Sequence, residues 1–127
     1  MGESNGLLAG RRVLIVEDEY LLASDLADVL RNEGAKVIGP APTVEIAGRL
    51  IAEEHPECAL LDMNLRGTGG LAIAHELNGR CIPFLILSGY DIAALPDELR
   101  DTPYLEKPAS AAAVIGALSR LPARSSG

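Results

Sequence analysis

Cys58-Ala59-Leu60-Leu61-Asp62 sets the strongest limit on how this chain folds. Four apolar residues run without alternation into one carboxylate. Such a run fits a strand covered on both faces, as in a parallel sheet flanked by helices. Asp62 then stands where the strand ends and the chain enters the glycine-rich segment Arg66-Gly67-Thr68-Gly69-Gly70. In open parallel sheets, ligands bind outside the carboxyl ends of the strands. Asp62 is therefore expected at a rim rather than in a core. Taken alone it reads equally as an Asp capping the next turn, so the other strand ends must decide.

Four further strands are expected, at Arg12–Val16, Ala35–Gly39, Ile82–Leu87 and Tyr104–Glu106. Between them lie amphipathic stretches. Tyr20–Glu33 carries Leu22, Leu26, Val29 and Leu30 on one stripe, and Gly34 stops it. Thr43 is positioned to cap a helix to Glu54 whose inner face is Ala47, Leu50 and Ile51. Leu71–Leu77 is a short helix, and Ser110–Leu121 presents Val114, Ala117, Leu118 and Leu121. Pro96 interrupts Tyr90–Thr102, so the helix between the fourth and fifth strands is expected to be short or irregular. The alternation predicts an α/β domain over residues 11–121: a doubly wound, five-stranded parallel sheet in the flavodoxin-like order 2-1-3-4-5. Residues 1–10 are expected to form a flexible leader and residues 122–127 a frayed tail.

Composition narrows the function. The 127 residues suffice for one domain. A net charge of −7 argues against a nucleic-acid or anionic-membrane binder. No apolar run approaches the roughly 18 residues of a membrane span. The start of the chain has no signal-peptide core. Cys58 and Cys81 form no CxxC pair and are expected as reduced, buried thiols, as in a cytoplasmic protein.

The strand ends then combine. The first strand ends in Glu17 and Asp18, the third in Asp62, the fourth in Ser88 and the fifth in Lys107. In the order 2-1-3-4-5 the three acids meet at the switch point, with Ser88 and Lys107 beside them. Three carboxylates in one crevice repel unless a cation neutralises them. Oxygen ligands without His or Cys favour Mg²⁺, which commonly shares its coordination with a phosphate. Lys107 offers a point charge to that phosphate, Ser88 a hydroxyl, and Asp62 a nucleophile. Individually each has a plainer explanation: Glu17-Asp18-Glu19 as the acidic start of a helix, Ser88-Gly89 as a turn, Lys107 as a solvated lysine, Tyr104 as filler beside the last strand. His75 reads as a surface residue and His55 as a helix C-terminus.

The set Glu17-Asp18, Asp62, Ser88 and Lys107-Pro108 resembles the receiver domain of bacterial two-component response regulators, over about Arg11 to Leu121. The resemblance implies that Asp62 accepts a phosphoryl group from a sensor histidine kinase or a histidine phosphotransfer protein. It implies Mg²⁺ held by Glu17, Asp18, Asp62 and the backbone carbonyl of Asn64. Ser88 and Tyr104 take the switch positions, and the Lys107-Pro108 bond matches one that is cis in the family. The chain is similar to stand-alone, single-domain members, with an unidentified downstream protein as partner. An exposed last strand and helix offer a contact for a homodimer. Departures are Leu65-Arg66 where Met-Pro is common, Glu17 for the commoner Asp, and a short Ser88 to Lys107 interval of 19 residues. Alternatives are a receiver fragment of a hybrid histidine kinase, a degenerate receiver serving only as a binding surface, and a phosphatase with an aspartyl intermediate. The phosphatase needs a second Asp where Asn64 stands.

Overall fold

A computed structural model describes residues 6–63, 69–89 and 95–122. The chain alternates β1 (Arg12–Val16), α1 (Tyr20–Asn32), β2 (Lys36–Ala41), α2 (Val44–Glu54), β3 (Cys58–Asp62), α3 (Gly69–Gly79), β4 (Phe84–Ser88), β5 (Tyr104–Glu106) and α4 (Ala111–Ser119). All strand pairs are parallel, in the order β2-β1-β3-β4-β5. Both the fold class and the strand order expected from sequence are found.

The pleat of each central strand distributes its side chains to two cores. Leu14, Val16, Ala59, Leu61 and Ile86 face α2 and α3, where Ala47, Ile51, Ile73 and Leu77 cover them. Val13, Ile15, Cys58, Leu60 and Leu85 face α1 and α4, against Leu26, Leu30, Val114 and Leu118. Every residue of β3 and β4 is buried, which is why these strands read as unbroken apolar runs.

Local chemistry fixes the helix ends. The Thr43 hydroxyl accepts from the Ile46 amide at 3.2 Å, and Ser110 caps α4 by accepting from Ala113 at 3.0 Å. Gly34, at φ +92°, follows α1 where only glycine is unstrained. His55 ends α2 in the left-handed region, and Pro56 after it disfavours another helical residue.

Four expectations are corrected. Residues 7–10 are not a loose leader: Leu8 is fully buried, its amide donates to the Glu33 carbonyl at 3.1 Å, and Gly10 donates to Gly34 at 2.9 Å. Cys81 is exposed, in a left-handed turn after α3, while Cys58 is buried as expected. β2 continues through Pro40 to Ala41 instead of closing at Gly39. α3 runs longer than Leu71–Leu77. Among the described residues between β4 and β5, the only helical piece is one 3-10 turn, Asp97–Leu99. Leu95 and Leu99 bury against the α3 side, and Glu98 pairs with His75 at 2.5 Å. The bonds Gly39-Pro40 and Lys107-Pro108 are both cis.

Leu8→Ala is expected to lower stability by about 2–3 kcal/mol, the cost of a cavity in a closed site, measured by urea unfolding. A change within about 0.5 kcal/mol would mean that the segment is not part of the core.

Candidate functional site

Four strand ends at the carboxyl edge of the sheet, those of β1, β3, β4 and β5, supply the side chains of the site. β1 delivers Glu17 and Asp18, and the Glu17 amide donates to the Ala41 carbonyl at 3.0 Å. β3 ends on Asp62, whose register partner in β4 is Leu87, one residue before Ser88. Ser88 in turn pairs with Glu106, and its carbonyl accepts from the Lys107 amide at 2.7 Å. The lysine is thus fastened by its own backbone to the strand that carries the hydroxyl.

One ligand atom from each of Glu17, Asp18 and Asp62 lies within 4.8 Å of the others. Lys107 Nζ stands 3.3 Å from Asp62 Oδ1 and 3.5 Å from Glu17 Oε1. Glu17 and Asp62 are each 2% exposed and Ser88 is 1% exposed, whereas Asp18 is half-buried. Of the residues named from sequence, the structure therefore brings Glu17, Asp18, Asp62 and Lys107 together. Ser88 stands on the adjoining strand end. Tyr104 begins β5 beside Ile86, half-buried against the α3-side core. Asn64, and with it the Leu65-Arg66 departure, lies outside the described residues.

The electrostatics are those of a crowded acidic pocket. Burial, then a hydrogen bond and repulsion from Asp62, push the Glu17 carboxyl from its ordinary 4.5 up to about 7. The Glu19 amide, donating to Glu17 Oε2 at 3.1 Å, and the Lys107 ammonium oppose this. Burial pulls the Lys107 ammonium down, but Asp62 and Glu17 together outweigh it and leave its pKa raised. Three carboxylates facing one ammonium leave negative charge uncompensated. An all-oxygen donor set with this surplus fits a hard divalent cation such as Mg²⁺ rather than a thiolate- or imidazole-seeking metal. A cleft of about 310 Å³ between α1 and the end of β2 opens onto the acids, with Tyr20, Ser24, Pro40 and Pro42 among its walls.

Two contributors went unnoticed in the sequence, both backbone groups: the Glu19 amide and the Ala41 carbonyl that hold Glu17. The only visible signal was Gly39-Pro40, since a proline inside a strand pattern marks an edge or a bulge.

Known proteins share the sequence pattern and the fold. The family model of the response regulator receiver domain matches residues 13–118. The transcriptional regulatory protein PdtaR of Mycobacterium tuberculosis is 34% identical over 112 residues, 85% of this chain and 55% of PdtaR. The sensory transduction protein RegX3 of Mycolicibacterium smegmatis is 35% identical over 111 residues, 81% of this chain and 46% of RegX3. The chain spans about half the length of these curated relatives. Among solved structures, the receiver domain of the Erythrobacter litoralis response regulator PhyR superposes with a TM-score of 0.78 at 28% identity, covering 88% of this chain and 89% of that one. PhyR from Brucella abortus gives 0.76 at 28% identity, over 88% of this chain and 47% of that one. With the family match running from β1 to the end of α4 and the acids and lysine gathered at one sheet edge, this chain belongs to the response regulator receiver domain family.

Proposed function

We propose that this domain is a phosphoacceptor switch. Asp62 takes a phosphoryl group from a sensor histidine kinase or a histidine phosphotransfer protein, and the loaded domain changes its affinity for a downstream protein. The observation that carries this is the cluster itself: three carboxylates within 4.8 Å and an ammonium 3.3 Å from Asp62.

The chemistry divides among the chain's own residues. An Asp62 carboxylate oxygen forms the new bond to phosphorus as the phosphorus–nitrogen bond of a phosphohistidine breaks. The Lys107 ammonium, already beside Asp62, meets the negative charge of the arriving phosphoryl oxygens. Glu17, Asp18 and Asp62 would hold Mg²⁺, with the backbone carbonyl of Asn64 as a further ligand. When bound, the ion neutralises the charge that builds on the transferring group. Ser88 donates its hydroxyl to the bound phosphoryl group, and Tyr104 on the neighbouring strand follows. The added charge, about −1.5 to −2, biases a two-state equilibrium of the β4–β5 face.

Stand-alone action and service as the receiver module of a longer protein both follow from the same site chemistry.

Incubation with acetyl phosphate and Mg²⁺ should add one phosphoryl group per chain, read by intact-mass spectrometry, and chelation with EDTA should prevent it. Equal labelling with and without the metal would remove the acids from their assigned role.

A further inference from the structure

β2 does not run in regular register with β1. Leu14 pairs with Ile38, but Val16 pairs with Ala41, so two steps in β1 face three in β2. The extra residue makes a β-bulge on an edge strand. Its physical cause is Pro40, which has no N–H to give a regular ladder. Its hinge is Gly39, at φ +90°. A Cβ built there would lie 2.8 Å from the Ala41 nitrogen and 3.1 Å from the Ile15 oxygen, so only glycine fits without moving backbone. The three-residue step also explains how Ile38 and Ala41 both reach the α2-side core.

The bulge has a consequence at the site. A regular count would bring the Pro40 carbonyl to the Glu17 amide. The bulge brings Ala41 instead, at 3.0 Å, and Ala41 is fully buried and fixed. One residue of strand is about 3.3 Å, far beyond the ~0.5 Å within which a site must be held. Glu17 therefore depends on the bulge for the position of its backbone. Its carboxylate hangs from that backbone and is fastened at its far end by the Glu19 amide and Lys107.

We propose that Gly39 and the Ala41 carbonyl are a positioning device for Glu17, and that the bulge in β2 sets the affinity of the acidic pocket for a divalent cation. The proposal rests on the phosphoacceptor reading above, in which Glu17 is a ligand of Mg²⁺. Gly39 touches no ligand; it acts through Glu17.

The test is a double-mutant cycle read by Mg²⁺ titration of backbone NMR shifts, with thermal unfolding in EDTA to establish that each variant is folded. Gly39→Ala should weaken Mg²⁺ binding about tenfold, as loss of support behind a ligand does. In a Glu17→Ala background the same substitution should cost less than about twofold, because the residue it positions is gone. In an Asp18→Ala background the tenfold loss should persist. If Gly39→Ala fails to fold, Pro40→Ala serves in its place: it restores an N–H, lets the regular ladder compete with the bulge, and should weaken binding severalfold with the same dependence on Glu17. Unchanged affinity, or an equal loss in all backgrounds, overturns the proposal. A native chain that binds no Mg²⁺ overturns the functional reading itself, which is a different result from a native chain that binds it and a bulge variant that binds it equally well.

Discussion

An Asp62→Asn chain is expected to take up no phosphoryl group from acetyl phosphate or from a histidine kinase, while keeping its fold. The amide has the shape of the carboxylate, so the closed end of β3, at 2% exposure, is not disturbed. Its oxygen lacks the charge that attacks phosphorus. Lys107 loses its partner at 3.3 Å but retains Glu17 at 3.5 Å. The crowding also eases, because Asp62 contributes both a hydrogen bond and repulsion to the raised pKa of Glu17. The melting temperature should therefore stay level or rise while labelling disappears, and that opposition separates a lost nucleophile from a damaged fold. Intact mass and a thermal melt on the same sample check it. Labelling that survives would move the nucleophile to Asp18 or Glu17.

The sheet and the site's side chains were legible in the sequence for one reason: each central strand is buried on both faces and ends abruptly in a polar residue. Val13–Val16, Cys58–Leu61 and Phe84–Leu87 can be little else than covered strands, and parallel topology then puts their ends on one edge. Glu17, Asp62 and Ser88 follow directly, while Lys107 comes after the short, half-buried edge strand β5. What stayed hidden depends on contacts made far along the chain. Leu8 is one of two adjacent leucines between Gly6 and Ala9, with no period to tell it from Leu7, which is exposed; Leu8 is buried, and the Glu33 carbonyl after α1 accepts from its amide. Cys81 sits beside an apolar strand yet is exposed, because a left-handed turn intervenes. Pro40 read as a stop, since proline breaks a regular ladder, but an edge strand can bulge around it. In each case a backbone group, not a side-chain pattern, decided the outcome.

The Glu17 carboxyl should make the metal-free protein lose stability as pH rises. The sign follows from linkage. The folded state holds the proton up to about pH 7, whereas the unfolded chain releases it near 4.5. Between those values the native state binds more protons, so stability falls with increasing pH. Below 4.5 both states are protonated and the group contributes nothing; above about 7 the penalty is complete. At about 1.4 kcal/mol per pKa unit, it is on the order of 3 kcal/mol. Glu17→Gln should remove it, because the amide mimics the protonated acid: it can donate to Asp62, accept from the Glu19 amide, and never ionises. Urea unfolding in EDTA should then find the variant and the native chain equal at pH 4 and the variant more stable at pH 8. Mg²⁺ should close that gap from the other side. Binding only the folded state, it returns about 2.7 kcal/mol to the native chain at a hundredfold excess over its Kd and much less to Glu17→Gln, which has given up one anionic ligand. If the two proteins share one pH profile in EDTA, Glu17 ionises freely in the fold, and the crowding of three acids around one ammonium is not what primes this pocket for a cation.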